Sequence, residues 1–176
     1  MKENIDVSFQ SLYRDGIFPT PDGRAKLHLV PCEPFLEQPD AEYDFILNTG
    51  RTVEHWHTRT KTGQVPILER MSPNAWLEMN TRDAQSLKLK PHDRVDIISR
   101  RGTVKDLELR VTEIVAPGQV FMPFHFVETN ANQVTQSAFD PISREPNYKQ
   151  CAVRVEPSHP VEQRGKRPGR QRSVNG

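Results

Sequence analysis

The densest group of side chains that could bind a ligand begins directly after the apolar run at 45–47. The residues of this group are Asn48, Thr49, Gly50, Arg51, His55, Trp56, His57, Thr58, Thr60 and Thr62. Gly50 allows the backbone to pass close to a ligand, and Arg51 can bind a phosphate or a ring carbonyl through two parallel hydrogen bonds. A strand that ends in a glycine and a solvated arginine would have the same sequence, so both interpretations stay open for this pair alone.

The two histidines of this group raise the question of a metal site. An extended segment at 55–57 would place both imidazoles on one side, with the Trp56 indole between them. Zinc needs two further ligands, and no cysteine or histidine lies at a suitable spacing, so we predict no metal site. The hydroxyls of Thr58, Thr60 and Thr62 alternate and could line one surface, although an ordinary polar loop has the same pattern.

The composition of the chain excludes several classes of protein. With 176 residues, 35% of them hydrophobic, the chain has room for one domain and its ends. A net charge of +1 predicts neither nucleic-acid nor membrane binding. No apolar run approaches the roughly 20 residues of a membrane span, and the first ten residues lack a signal sequence. We therefore expect a cytoplasmic protein.

The order of apolar runs and turn residues predicts a mainly β fold. Several short strands separated by turns at roughly ten-residue spacing are typical of a small closed barrel. One short helix is expected at 82–87, with Asn80 or Thr81 as its N-cap. The strands are predicted at 44–47, 75–79, 95–99, 103–115, 119–124 and 151–155, with a further short strand at 26–30. A turn is predicted at 18–23, and a hairpin turn at Arg101-Gly102. In the strand at 103–115, a period of two places Leu107, Leu109, Val111 and Glu113 on one face.

The ends of the chain differ from its middle. Residues 1–43 contain turn residues and several prolines, which predict an extended lead-in, and residues 44–156 form the predicted domain. Residues 157–176 lack apolar periodicity and are expected to be disordered. This tail contains Glu162 and five basic residues, Arg164, Lys166, Arg167, Arg170 and Arg172.

The stretch from Asn48 to Thr62 resembles the signature loop of a known domain. It is similar to the molybdopterin-dinucleotide-binding domain that closes enzymes of the dimethyl sulfoxide reductase superfamily, and is most similar to that of assimilatory nitrate reductases. The resemblance covers roughly residues 15–155. It continues through Asp83-Ala84-x-x-Leu87, Ser99-Arg100-Arg101-Gly102, Pro117-Gly118, Met122-Pro123-Phe124-His125-Phe126, Asn132-x-x-Thr135, Asp140-Pro141-x-Ser143 and Pro146-x-Tyr148-Lys149.

The resemblance implies a double-psi β-barrel that contacts the pterin dinucleotide holding molybdenum. It assigns no catalytic residue, because the metal cofactor performs the redox chemistry. His125 lies in an apolar run, where a histidine is more often structural, and Lys149 would by charge alone be a solvated surface residue. The implied cofactor-binding residues are Asn48, Thr49, Gly50, Arg51, His55, Trp56, His57, Thr58, Thr60, His125, Asn132 and Lys149.

The resemblance also implies parts that this sequence lacks. Complete nitrate reductases of this kind carry a cysteine cluster for a [4Fe-4S] centre and a cysteine bound to molybdenum, and Cys32 and Cys151 match neither motif. We therefore expect a C-terminal domain that binds molybdopterin guanine dinucleotide, helps to enclose the site that reduces nitrate to nitrite, and has no turnover alone. The expected partners are the remaining domains of the reductase and an acidic electron donor such as a ferredoxin, attracted by the basic tail.

Two alternatives remain open at this point. The chain could be the equivalent domain or subunit of another molybdopterin oxidoreductase, such as formate dehydrogenase, because substrate identity depends on parts outside this sequence. It could also be a non-enzymatic double-psi barrel that binds other proteins, because a fold does not decide a function.

Overall fold

A computed structural model of the protein describes residues 12–31 and 34–158. The chain divides into two compact units between Pro34 and Phe35. The described part of the first unit contains turns and neither helix nor strand. The turn predicted around residues 18–23 is confirmed, because Phe18 N–H donates to the Gly23 carbonyl at 3.0 Å. The short strand predicted at 26–30 is wrong, since a strand needs a hydrogen-bonded neighbour and the described part of this unit has none.

The second unit contains a closed barrel of six strands in the order β1-β5-β2-β4-β3-β6. Strand β1 is parallel to β5 and β2 is parallel to β4, whereas the other four pairs are antiparallel. This pairing has a twofold repeat. If β1, β2 and β3 are exchanged in order with β4, β5 and β6, the same strand pairs result, with the same parallel or antiparallel directions. The predicted mainly β, double-psi β-barrel is therefore confirmed. The strands are β1 (Phe45–Gly50), β2 (Trp76–Asn80), β3 (Arg94–Ile98), β4 (Thr103–Thr112), β5 (Gln119–Pro123) and β6 (Gln150–Pro157).

Two short α-helices lie between the strands, α1 (Pro66–Met71) and α2 (Thr81–Ser86). Helix α2 confirms the predicted helix, and Asn80 is its N-cap, because the side chain accepts a hydrogen bond from Arg82 N–H at 3.0 Å. Helix α1 was not predicted, although Pro66 occupies its first turn and Glu69 lies near its N-terminus. Single 3₁₀ turns lie at Thr62–Gln64 and Ala131–Gln133.

The barrel interior is filled by alternating residues of the strands. On β4 the predicted apolar face is confirmed for Leu107 and Leu109, which have no exposed surface, while Val111 is half-buried. Glu113 lies beyond the end of β4 and is exposed, so the strand is shorter than predicted. Burial of one such leucine contributes roughly 1.5–3 kcal/mol.

Residues 35–43 belong to the same compact unit as the barrel. The Glu37 carboxylate accepts hydrogen bonds from Ala152 N–H at 2.8 Å and from Arg101 at 2.6 and 3.0 Å. The Glu37 carbonyl accepts another from Gln150 Nε2 at 2.8 Å. These contacts attach the segment before β1 to β6 and to the turn before β4.

Strand β6 includes Pro157, and Ser158 N–H donates to the Arg94 carbonyl at 2.9 Å. The rest of the predicted disordered tail lies outside the described residues. In the part of the chain that the structure describes, no helix has both the length and the apolar character needed to cross a bilayer.

Candidate functional site

A pocket of about 570 Å³ is formed by three stretches of chain outside the barrel strands. Its volume lies within the range of about 300–1,000 Å³ that is usual for small-molecule sites. The loop after β1 contributes His57 and Thr58, and the segment after β5 contributes residues 124–127. The loop before β6 contributes Asn130, Asn132, Thr135, Gln136, Pro146 and Tyr148.

His125 is the most unusual group in this pocket. Its side chain is only 4% exposed, and neither Nδ1 nor Nε2 has a hydrogen-bond partner. Burial, together with the neighbouring His55 and Arg59 and against the opposing charge of Glu54, lowers the pKa of His125 to about 4. A neutral imidazole offers one donor and one acceptor. Because buried polar atoms are nearly always paired, these two nitrogens are an exception that a bound ligand or an ordered water would satisfy.

Amide and aromatic side chains surround this histidine. Asn132 is exposed at the pocket surface, and its backbone N–H donates to the Asn130 side chain at 2.9 Å. Gln136 is buried, and its Nε2 donates to the Gln150 carbonyl at 2.7 Å. The Phe126 ring lies 4.5 Å from the His125 ring, centre to centre. The pocket therefore combines flat apolar surfaces with a few fixed hydrogen-bonding groups.

The loop after β1 does not have the extended form that we predicted. His57 and Arg59 have φ angles of 46° and 63°, so the chain leaves the extended conformation at the second of the two predicted histidines. As a result His57 lines the pocket, while His55 is 2% exposed and lies behind it. The prediction that both imidazoles share one side is wrong, because it assumed a β conformation that these φ angles exclude.

His55 is held entirely by protein groups. Its Nε2 lies 2.8 Å from the Ser72 carbonyl and must donate to it, and its Nδ1 bonds to the Thr62 hydroxyl at 3.2 Å. Thr62 in turn accepts from Trp56 N–H at 3.2 Å. With both nitrogens occupied, His55 can contact a ligand only through its ring, and its predicted cofactor role stays a prediction.

A smaller pocket of about 410 Å³ lies beside the first along the same loop. Three of the predicted residues line it, namely Arg51, His55 and the 64% exposed Trp56. Arg51 Nη1 lies 3.5 Å from His57 Nε2, which connects the linings of the two pockets. The predicted residues are thus divided, since His57, Thr58, His125 and Asn132 line the larger pocket.

The residues at 48–50 lie within β1 and not in a loop. The loop predicted to start at Asn48 begins after Gly50, because Asn48 and Gly50 pair with Phe121 and Pro123 of β5. Asn48 Nδ2 donates to Gln119 Oε1 at 3.1 Å. A Cβ atom at position 50 would lie 2.6 Å from the Phe121 ring, so any larger residue here would have to displace that ring.

Thr49, Thr60 and Lys149 complete the predicted set. The Thr49 hydroxyl donates to the Tyr148 carbonyl at 2.9 Å, and Thr49 N–H donates to the Lys149 carbonyl at 3.2 Å. Thr49 therefore holds the pocket wall from behind. Thr60 is exposed and bonds to the Thr58 hydroxyl at 2.8 Å. Lys149 is exposed, with its Nζ 6.0 Å from the centre of the Tyr148 ring.

Other residues of the site were not predicted individually, among them Arg59, Asn130, Gln136 and Tyr148. Tyr148 lies within the motif Pro146-x-Tyr148-Lys149, which was a usable signal. No sequence signal pointed to Arg59, because its partners Glu69 and Glu128 are distant in sequence. Among residues 12–31 and 34–158, no cluster of three or more His, Cys, Asp or Glu side chains could hold a metal ion.

A six-stranded barrel carrying a pocket built from its loops defines a ligand-binding β-barrel domain. The family model described as "Molydopterin dinucleotide binding domain" matches residues 45–152, and the chain belongs to that family. This family is part of the molybdopterin oxidoreductases of the dimethyl sulfoxide reductase superfamily, so membership implies a molybdopterin dinucleotide cofactor.

The fold is also similar to that of a solved enzyme, acetylene hydratase from Pelobacter acetylenicus. The TM-score is 0.57 and the sequence identity is 19%. The match covers 64% of this chain and 18% of the acetylene hydratase chain. This likeness supports the fold, and this chain spans only a small part of the length of that protein.

The residues present fit a group of this kind. A pterin has ring nitrogens, an amide and an amino group that need both donors and acceptors. The free nitrogens of His125 and the side chains of His57, Thr58 and Asn132 provide them.

Proposed function

We propose that this chain is the C-terminal domain of a molybdenum nitrate reductase that works in the cytoplasm. In this role it binds molybdopterin guanine dinucleotide and helps to enclose the site at which nitrate is reduced to nitrite. The observation that carries the binding role is His125, a buried imidazole whose two nitrogens have no partner in a pocket of about 570 Å³.

Each wall of the pocket has a distinct task in this proposal. His125 donates and accepts hydrogen bonds at a ring edge of the cofactor, and the Asn132 amide pairs with another edge. Phe124 and Phe126 pack against the flat rings and exclude water. Arg51 and Lys149, both exposed, neutralise the pyrophosphate. The bound cofactor supplies the two-electron chemistry, and the chain supplies binding and orientation.

The proposal of nitrate as the substrate rests on the amino-acid sequence of residues 55–62, which resembles the corresponding sequence in assimilatory nitrate reductases. In the same proposal, the remaining domains of the reductase carry the [4Fe-4S] centre. The complete enzyme should therefore reduce nitrate when it receives electrons and should not oxidise formate. Formate oxidation without nitrate reduction would assign this domain to formate dehydrogenase instead.

Binding is tested by titrating the 176-residue chain with molybdopterin guanine dinucleotide while recording amide NMR spectra. We expect shifts at Gly50, His57 and Asn132, and a loss of affinity of roughly tenfold or more in His125→Phe, because one buried hydrogen-bonding group is removed. His92→Gln is the matched control, since His92 is exposed and bonds Glu108 at 2.7 Å. Shifts confined to the residues after 158, or equal affinities for both variants, would contradict the proposal.

We also propose that the basic tail attracts an acidic electron donor such as a ferredoxin. Deleting residues 159–176 from the complete enzyme leaves β6 intact. The Michaelis constant for the donor should then rise at low salt and converge with that of the intact enzyme at high salt. An unchanged Michaelis constant at low salt would remove this part of the proposal.

A further inference from the structure

One side chain connects two walls of the pocket without lining it. Arg59 follows His57 and Thr58 in the loop after β1, and its guanidinium reaches the segment after β5. We propose that Arg59 is a positioning residue that holds these two walls at the separation the cofactor requires. This inference rests on the proposed cofactor-binding function and adds a residue that determines how well the pocket is preformed.

The guanidinium is bound on three sides. Its Nε donates to Glu69 Oε2 of α1 at 3.0 Å, and its Nη2 pairs with Glu69 Oε1, which gives a two-pronged contact. Its Nη1 donates to Glu128 Oε2 at 3.3 Å. Its central carbon also lies 4.8 Å from the centre of the Phe126 ring. A planar guanidinium can make these contacts together, whereas a lysine ammonium cannot.

Two of these partners, Phe126 and Glu128, belong to the wall of the pocket that follows β5. Phe126 and Val127 line the pocket, and Glu128 follows them directly in the chain. On the other wall, His57 and Thr58 line the pocket immediately before Arg59. The Arg59 contacts therefore join the ends of both lining segments to helix α1.

The backbone at Arg59 is also constrained. Its φ of 63° is uncommon for a residue with a side chain and strains the backbone. Arg59 N–H donates to the Trp56 carbonyl at 3.0 Å, and Gly63 N–H donates to the Arg59 carbonyl at 2.8 Å. The side-chain contacts with Glu69, Glu128 and Phe126 hold the chain in this turn. Losing them should release the turn that presents His57 and Thr58.

The effect of Arg59 on stability can be separated from its effect on cofactor binding. Pairs near the surface contribute little to stability, and the Glu69 and Glu128 side chains are 30% and 72% exposed. Removal of Arg59 should therefore change the melting temperature only slightly. If Arg59 positions the walls, the same change should weaken cofactor binding much more than it lowers stability.

The test uses the 176-residue chain with the variants Arg59→Met and Arg59→Lys. We expect Arg59→Met to bind molybdopterin guanine dinucleotide roughly tenfold more weakly, and Arg59→Lys to restore only part of the affinity. Arg94→Met is the matched control, because Arg94 pairs with Asp106 on the β3–β4 hairpin, and its affinity should equal that of the original chain. Glu69→Gln should weaken binding more than Glu128→Gln, since Glu69 makes the two-pronged contact.

A second measurement needs no ligand and separates this inference from the function on which it rests. In Arg59→Met, amide hydrogen exchange should accelerate in both 56–64 and 124–130 and stay unchanged in the barrel strands. The pKa of His125 should rise in the same variant, because a nearby positive charge is removed while His55 and Glu54 remain.

The possible outcomes separate the two proposals. If the unaltered chain fails to bind the cofactor, the proposed function is wrong, and exchange still tests the positioning role. Unchanged exchange in either wall, full rescue by Arg59→Lys, or equal losses in Arg59→Met and Arg94→Met would overturn the positioning role.

Discussion

Leu47, Leu107 and Leu109 in the barrel have no exposed surface, and every strand there is hydrogen-bonded to two neighbours. The rim, which we define as residues 51–64 and 124–149, is built in another way. Much of its chain lies outside helices and strands, and polar contacts such as Thr49 with Tyr148 hold it to the barrel. The comparison suggests that the barrel provides stability while the rim provides a surface adapted to a ligand.

Unpaired polar atoms follow the same division. Among the described residues, the buried side-chain atoms without a partner belong to Thr52, Ser72, His125 and Thr129. Three of these residues lie in the rim, and Ser72 follows α1 directly. None of them lies in a barrel strand. An unpaired buried group costs about 1–3 kcal/mol, so the rim carries a cost that a bound ligand or water can offset.

The largest expected effect comes from a barrel substitution. Leu109→Ala should lower the free energy of unfolding by about 2–5 kcal/mol, because it leaves a cavity in a fully buried position. Urea unfolding monitored by circular dichroism measures this loss. Ile114→Ala is the control, since Ile114 is 90% exposed and its loss should cost under about 0.5 kcal/mol. If Leu109→Ala folds but binds the cofactor more weakly, the assignment of stability to the barrel and binding to the rim is contradicted.

A smaller effect is expected at Glu37, which ties the segment before β1 to the barrel. Burial alone would raise its pKa, but the hydrogen bonds from Arg101 and Ala152 N–H outweigh burial and lower the pKa below its usual 4.5. A lowered pKa stabilises the fold above the unfolded-state pKa, and this stability is lost as the pH falls through the folded-state pKa. Glu37→Gln should therefore cost about 1–3 kcal/mol at neutral pH.

The pH dependence checks this assignment. Between about pH 5 and about pH 3, the melting temperature of the original chain should fall more steeply than that of Glu37→Gln. Glu42→Gln serves as the control, because the Glu42 side chain is 68% exposed and pairs with Arg154 at the surface. If the melting temperatures of all three proteins fall in parallel with pH, the Glu37 carboxylate does not contribute to stability. Arg101 also donates to the Val134 carbonyl at 3.0 Å, so Glu37→Gln tests whether the rim depends on this attachment.

The strands of the barrel were predictable from sequence because the signals for each strand lie within a few neighbouring residues. Alternating apolar residues on β3 and β4, and the Asn80 cap of α2, follow from period and residue type within a few positions. Helix α1 was not predicted because it is only six residues long, too short for a clear helical period. Its apolar residues Ile67 and Met71 are 59% and 63% exposed, so burial in a core does not mark them either.

The geometry of the rim was much less predictable. His57 and Arg59 adopt left-handed backbone conformations, which are uncommon for residues other than glycine. Their residue types do not predict these conformations. Gly102 was expected in a hairpin turn, but a Cβ there would also lie 2.6 Å from the Gln133 carbonyl oxygen. That close approach joins the β3–β4 turn to the late loop across more than thirty residues. Such contacts exist only once the barrel has brought distant segments together.

The smallest predicted effect lies at Asn80, a polar residue that belongs to the barrel side of the comparison. Its Oδ1 accepts from Arg82 N–H at 3.0 Å, and its Nδ2 donates to the Val115 carbonyl at 2.7 Å. Asn80→Ala should lower the free energy of unfolding by about 0.5–2 kcal/mol, because the helix cap is lost. Asn80→Ser should recover part of this, since serine restores the cap but not the bond to Val115. Thermal melts measure both losses, and cofactor affinity should not change in either variant. Reduced affinity with unchanged melting would show that polar contacts on the barrel side also shape the pocket, and the two regions would then have to be treated as one.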